Sequence, residues 1–149
     1  MTQDLQHRDL TDKILKAFYK VYNALGYGFL ETVYEKSLLL ELRNSGLRAE
    51  RQQPIKVYYA GNLVGDYYAD LIVEGVIIIE VKIADAICEA HIAQLRNYLR
   101  ATEIEIGLLL NFGPEPKFVR KYFSNENKNL SEKIRDYPPH PPHPLGNQH

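Results

Sequence analysis

The stretch YYADLIVEGVIIIEVK, residues 67–82, holds the most apolar run of the chain, and that run ends in Glu80 and Lys82. An unbroken apolar run of this kind suits a central strand covered on both faces. Side chains alternate along a strand, so Glu80 and Lys82 share one face, roughly 6–7 Å apart. Ile77, Ile79 and Val81 take the other face. Charged groups are almost never buried without partners, so the pair belongs at a strand end or in a cleft. Asp70 is the obvious third member, and its placement depends on the parity of the turn. A two-residue loop at Glu74-Gly75 would pair Asp70 with Ile79 and turn it away from Glu80. A three-residue loop, 74–76, sets Asp70 opposite Glu80, and Gly75 can supply the left-handed residue. The sequence therefore predicts an odd-length loop or a β-bulge here. Two facing carboxylates repel unless a cation sits between them, and a hard divalent cation with oxygen ligands is the natural partner.

Upstream, IKVYYAG (55–61) and LVGDYYADLIV (63–73) read as strands joined by a turn around Gly61-Asn62. Before them, Leu10, Ile14, Leu15, Phe18, Val21, Tyr22 and Leu25 recur at helical spacing. Thr11 or Asp12 could cap that helix and Gly26 can end it. A second helix is expected over about 29–43, stopped by NSG at 44–46. Downstream, EAHIAQLRNYLRA (89–101) is helical and EIGLLLNFG (105–113) is a second buried strand. KFVRKYF (117–123) fits a short strand or a helix. The order α-α-β-β-β-α-β, then a small element, is a mixed α/β domain with helices packed on a hairpin-rich sheet.

The bulk numbers agree. The chain has 149 residues, 45% hydrophobic and 25% charged, as in one ordinary globular domain with a real core. A net charge of −1 advertises no nucleic-acid partner, although a local groove can be basic while carboxylates elsewhere cancel it. Cys88 is the only cysteine, which excludes an internal disulfide and a cysteine-built zinc site. The start, MTQDLQHRDL, is polar and charged, unlike a signal peptide, and no run approaches the length of a membrane span. A reducing cytoplasm and no membrane partner are the expectations. YPPHPPHPLGNQH, 137–149, cannot build a core and is expected to be a disordered tail after a domain spanning 1–136.

The chemistry that needs Asp70, Glu80 and Lys82 together is metal-assisted phosphodiester hydrolysis. Carboxylates hold Mg²⁺, with Mn²⁺ as a substitute, and the metal polarises a phosphoryl oxygen and lowers the pKa of a bound water. A lysine beside it can orient or deprotonate that water, or stabilise developing negative charge. Taken alone the pattern is short, and a salt bridge at a strand end is the simpler account. The buried strand narrows that choice.

Asp70 followed by Glu80-Val81-Lys82, on adjacent strands after a helix, resembles the PD-(D/E)XK nuclease superfamily, as does the core order α-β-β-β-α-β. The superfamily's proline is absent, since Ala69 precedes Asp70. The chain also resembles the GxxExxY family within that superfamily. GFLETVY carries Gly28, Glu31 and Tyr34, HIAQLRNYL carries His91, Gln94 and Tyr98, and GLLLNFG matches the closing strand. The resemblance covers roughly residues 10–123. It implies a restriction-endonuclease-like fold in which Asp70 and Glu80 are metal carboxylates, completed by the backbone carbonyl of Val81. It further implies that Lys82 is the catalytic lysine, that Glu31 is the glutamate offered by the first core helix, and that Gln94 orients the active-site groups.

Glu31, Tyr34, Glu35 and Leu38 share one helix face, and a carboxylate in a first helical turn is also ordinary charge placement. Tyr34 reads as a packing residue with a locally bonded hydroxyl. His91, Gln94 and Tyr98 form one polar stripe beside the apolar stripe of Ile92, Leu95 and Leu99, which suits the edge of a cleft. His91 and Tyr98 would then stand behind the residues that touch substrate. Arg96, Arg100, Lys117, Arg120 and Lys121 could contact phosphates, but charge runs are usually solvated faces. Asp66 lies too far from Asp70 to share a metal, and Asp85 is a further carboxylate near the site. The expectation is a metal-dependent nuclease acting on DNA or RNA. A catalytically inactive module of the same fold, binding nucleic acid or a protein, stays open, and the 11 tyrosines permit a homodimer interface.

Overall fold

A computed structural model describes residues 7–128 of the protein. The first helical pattern forms α1, Arg8–Leu25, which buries Ile14, Ala17, Phe18 and Val21 along one face. Gly26 ends it in a left-handed conformation (φ 70°), its N–H donating to the Tyr22 carbonyl at 2.8 Å. The helix starts about a turn before the expected cap. His7 is the N-cap, and Thr11 lies buried inside the first turn, because Leu10 still packs on the core. The second helix, α2, is Glu31–Asn44.

Two strands, β1 (Ala49–Tyr59) and β2 (Asn62–Val73), form a long antiparallel hairpin. Its two-residue turn is Ala60-Gly61, with φ of 52° and 82°, the paired positive values of a type I′ turn. The turn thus sits one residue earlier than expected. The strand also begins at Ala49 rather than Ile55, running through Pro54. An edge strand tolerates the missing N–H of proline, and β1 is an edge of the sheet. Next come β3 (Ile77–Lys82), α3 (Glu89–Ala101), β4 (Ile106–Phe112) and β5 (Pro116–Tyr122). The undecided segment near 117–123 is therefore a strand. A short 3-10 turn, Asn125–Asn127, follows.

The sheet order is β1-β2-β3-β4-β5, and only β3 and β4 are parallel. Parallel neighbours need a crossover, which α3 provides. On one face α1 and α2 pack over Ile77, Ile79, Val81, Leu108 and Leu110. On the other, α3 packs Leu95 and Leu99 against Ile78 and Leu109. Each such fully buried side chain contributes about 1.5–3 kcal/mol of transfer free energy. Gly107 lets α3 sit close, since a Cβ there would lie 2.6 Å from Leu95 Cδ1. This α/β arrangement is consistent with a restriction-endonuclease-like core preceded by an extra helix.

The hairpin changes face halfway along. In its base, Ala49, Leu71 and Val73 pack on the α1/α2 side. In its outer half, Ile55, Val57 and Ala69 pack on the α3 side. All six numbers are odd, and strict alternation would keep them on one face. The switch occurs at Gln52, which holds a left-handed φ of 51° beside Arg51↔Leu71 and Gln53↔Ala69, opposite Asp70. The outer half therefore leaves the sheet as an arm that leans over α3.

The loop between β2 and β3 is Glu74, Gly75 and Val76, three residues, as parity required. Glu74 and Gly75 both have positive φ, 53° and 70°. Among the described residues no helix is long and apolar enough to cross a membrane. The tail 137–149 lies outside the described residues.

Candidate active site

The ladder between β2 and β3 runs Val73↔Ile77, Ile72↔Ile78 and Leu71↔Ile79, and then stops. The next position would bring Asp70 against Glu80, where the arm turns away. Each acid takes over a hydrogen bond from the other strand. The Asp70 N–H donates to Glu80 Oε2 at 3.0 Å, and the Val81 N–H donates to Asp70 Oδ2 at 2.8 Å. The two carboxylates are thereby fixed across the splayed end of the sheet. Glu80 is only 4% exposed and Asp70 is half-buried.

Burial raises the Asp70 carboxyl to about 7, the Val81 N–H opposes this, and the neighbouring Glu35 and Glu31 add to it. Burial likewise pushes Glu80 up to about 8, helped by the charge of Asp70 and opposed by the Asp70 N–H and Lys82. The repulsion and the cost of burial both fall when a cation joins them.

Lys82 lies on the same strand face as Glu80, and its Nζ donates to Gln94 Oε1 at 3.4 Å. Gln94 Nε2 in turn donates to the Tyr98 hydroxyl at 3.2 Å. Burial pushes the Tyr98 phenol up to about 12, with the charges of Glu80 and Asp70 adding to the shift. Lys82, Gln94 and Tyr98 are thus one chain of contacts along the wall of the site.

Glu31 stands in the first turn of α2, half-buried, close enough for its charge to act on Asp70. One turn further, Glu35 is 4% exposed and lies beside the Asp70 carboxyl. Its Oε1 accepts from Arg51 Nε at 2.7 Å, and both its oxygens accept from Gln52 Nε2, at 3.1 and 3.2 Å. Neighbours on a regular strand point to opposite faces, so Arg51 and Gln52 reach one carboxylate only because Gln52 is left-handed. Sequence reading gave these three residues no role. The usable signal was that Glu35 follows Glu31 by one turn on the same helix face. Arg51 and Gln52 fell before the expected start of the strand.

The other expected residues are dispersed. The Val81 side chain is buried in the α1/α2 core, so only its backbone faces the carboxylates. Tyr34 is fully buried, stacked on Phe112 at 4.7 Å, with its hydroxyl donating to the Gly26 carbonyl at 2.6 Å. His91 Nδ1 accepts from the Cys88 N–H at 3.3 Å, at the start of α3. Arg96 is half-buried on α3, while Arg100 lies over the Phe123 ring at 5.4 Å with its Nη1 on Asn97 Oδ1. Lys117 pairs with Asn111, which pairs with Lys82, placing it two strands from Lys82 at about 10 Å by ordinary strand spacing. Arg120 pairs with Leu108, whose side chain belongs to the α1/α2 core, and Lys121 pairs with Gly107 further down the sheet. Asp66 is paired with Lys56 on the arm.

The donor set suits a hard cation. Among the described residues no three His, Cys, Asp or Glu side chains form a ready-made metal cage. Asp70 and Glu80 offer two carboxylates, with Glu35 already held by Arg51 and Gln52. Magnesium is commonly held by one or two carboxylates plus phosphate oxygens and waters, and needs no all-protein cage.

A family model described as the PD-(D/E)XK nuclease superfamily matches residues 8–122. No curated protein matches the chain. Among solved structures, the crystal structure of SSO0001 aligns with a TM-score of 0.50 at 17% identity, over 80% of this chain. The aligned part is 61% of that structure's chain, and the likeness is one of fold.

Proposed function

The chain belongs to the PD-(D/E)XK nuclease superfamily, and from that premise we propose that it is a metal-dependent nuclease of the GxxExxY branch, cleaving phosphodiester bonds of DNA or RNA. The observation that carries this reading is the pair Asp70 and Glu80, locked face to face by each other's strands with Lys82 alongside. A structural salt bridge would need a cation of its own for each acid, as Glu35 has.

Asp70 and Glu80 would hold Mg²⁺, or Mn²⁺ in its place, with the Val81 carbonyl as a backbone donor. When bound, the cation supplies Lewis-acid polarisation of a phosphoryl oxygen and a more acidic water. Lys82 Nζ, held by Gln94 Oε1, then orients the attacking water or meets charge developing on the phosphate. Tyr98 fixes the Gln94 amide, so that its carbonyl end faces the lysine. Glu35, Arg51 and Gln52 brace the hairpin where it turns away, which holds Asp70 at the mouth. Glu31 adds a further carboxylate at the rim.

The test is Mg²⁺-dependent cleavage of a panel of single-stranded and duplex DNA and RNA, with Asp70→Ala and Lys82→Ala purified alongside. Cleavage that disappears in both variants is the expected result. Cleavage that persists in either one overturns the assignment of the site.

A further inference from the structure

We propose that the groove between the β1–β2 arm and α3 seats an unpaired nucleobase of the strand being cut, so that this site acts on single-stranded nucleic acid. The proposal rests on the nuclease reading of the neighbouring site and extends it to the class of substrate.

The groove exists because the hairpin changes face at Gln52. Its outer half leans over α3 and with it lines an open groove of about 630 Å³, within the usual range for a ligand site. One wall is Val57, Gly65 and Tyr67, and the floor is Ala93 with Asn97 one turn along. Gly65 is there for Tyr67. A Cβ at Gly65 would lie 2.8 Å from Tyr67 Cε2 and 3.2 Å from Val57 Cβ. Without one, the Tyr67 ring lies down along its own strand, with its centroid 5.9 Å from that of Tyr98. Yet Tyr67 remains 49% exposed, a large aromatic left half in water. The small side chain of Ala93 leaves the space before it open.

Three features choose the occupant. Gln94 and Tyr98 line both this groove and the chain of contacts to Lys82, so the groove continues directly from the candidate active site. Its walls are aromatic and small apolar groups, suited to the face of a base. Asn97 and Arg100 stand at its edge, with an amide for base polar atoms and a positive charge for phosphate. A duplex shows its phosphates outward and hides base faces, whereas an unpaired strand can stack a base on tyrosine.

The test uses the full chain with Mg²⁺ and single-stranded DNA or RNA carrying one 5-iodouracil, moved stepwise along the strand. Brief irradiation is followed by mass spectrometry of the crosslinked peptide, with affinity measured by anisotropy. A crosslink at Tyr67 is expected, and Ala93→Leu, which fills the groove and keeps Tyr67, should abolish it. Ala93→Leu and Tyr67→Ala should each weaken single-strand binding about tenfold or more and leave duplex binding unchanged. Thermal melting shows whether each variant is folded. If Ala93→Leu is not, Tyr67→Ala, at its half-exposed position, carries the affinity test. Unchanged affinity in a folded variant, or crosslinks confined to other peptides, overturns the proposal, as does tighter binding of duplex than of single strands. The two readings fail separately. Crosslinking at Tyr67 without cleavage by any preparation keeps the groove and removes the nuclease. Cleavage lost in Asp70→Asn, with binding indifferent to Ala93→Leu, keeps the nuclease and removes the groove.

Discussion

Two acid clusters lie side by side at the switch in the hairpin, and they are built in opposite ways. Glu35 is buried, but Arg51 and Gln52 supply it with a charge partner and three hydrogen bonds. Asp70, half-buried, and Glu80, buried, face one another and receive one backbone N–H each, with further acids, Glu35 and Glu31, acting on Asp70 and the charge of Lys82 opposing the shift of Glu80. The first arrangement closes its own electrostatics. The second leaves negative charge unbalanced, as burial raises both carboxyls to about 7 and 8. On the proposed reading, the contrast separates an acid that holds the fold from acids that would take a cation.

The largest expected effect is on catalysis. Asp70→Asn should lower cleavage by about a thousandfold or more, the several kcal/mol a metal supplies to a phosphoryl transition state. Asn can still accept from the Val81 N–H, so the fold survives. In cleavage assays with a melting curve on the same samples, activity should vanish while the metal-free melting temperature at pH 8 holds or rises. A variant that loses both would place Asp70 with Glu35 as a structural acid.

The opposite pattern is expected for Glu35→Ala. It leaves Arg51 and Gln52 without the carboxylate that both hold and should cost about 3 kcal/mol in denaturant unfolding. Adding Arg51→Ala should cost less than the sum of the two single changes, since the second removes the charge the first left unpaired. Additive losses would break the proposed pairing.

Lys82→Met should reduce cleavage about a hundredfold, and Gln94→Ala about tenfold, with little change in stability. The order matters because in the proposed mechanism Gln94 acts through Lys82, whose Nζ it holds. In Lys82→Met, adding Gln94→Ala should change little.

Much of this was legible in the sequence, and the reasons are local. The apolar run at 76–79 fixed β3, and the odd count between Val73 and Ile77 brought Asp70 to Glu80. The helix 89–101 appears with the expected ends because its apolar stripe and its neighbours agree. The inverted hairpin was not legible. It depends on a positive φ at Gln52, which nothing in the residue type requires, and on Pro54 sitting at an edge. Missing the start of β1 hid Arg51 and Gln52, and with them the role of Glu35. The basic residues of β5 could be found but not ranked. Only strand pairing shows that Lys117 is level with Lys82 and that Arg120 pairs with Leu108 of the opposite core.

A smaller effect should appear in the metal-free protein as pH changes. Both carboxyls titrate higher in the folded chain than when unfolded, so folding takes up protons between about pH 4 and pH 8. Their contribution to stability is full below the unfolded values and is lost as pH rises through the folded ones. The melting temperature should therefore fall by a few degrees from pH 5 to pH 8, and Asp70→Asn should flatten that slope. Mg²⁺ should raise melting most at the alkaline end.

The most direct test of the central claim is calorimetric titration of Mg²⁺ into wild type and Asp70→Asn at pH 7, in two buffers of different ionisation enthalpy. The predicted result is binding to wild type with release of protons, because the cation displaces those the raised carboxyls still hold, and no binding to the variant. Equal binding by both proteins, or none by either, would contradict the account and leave Asp70 and Glu80 as a buried acid pair with no metal to hold.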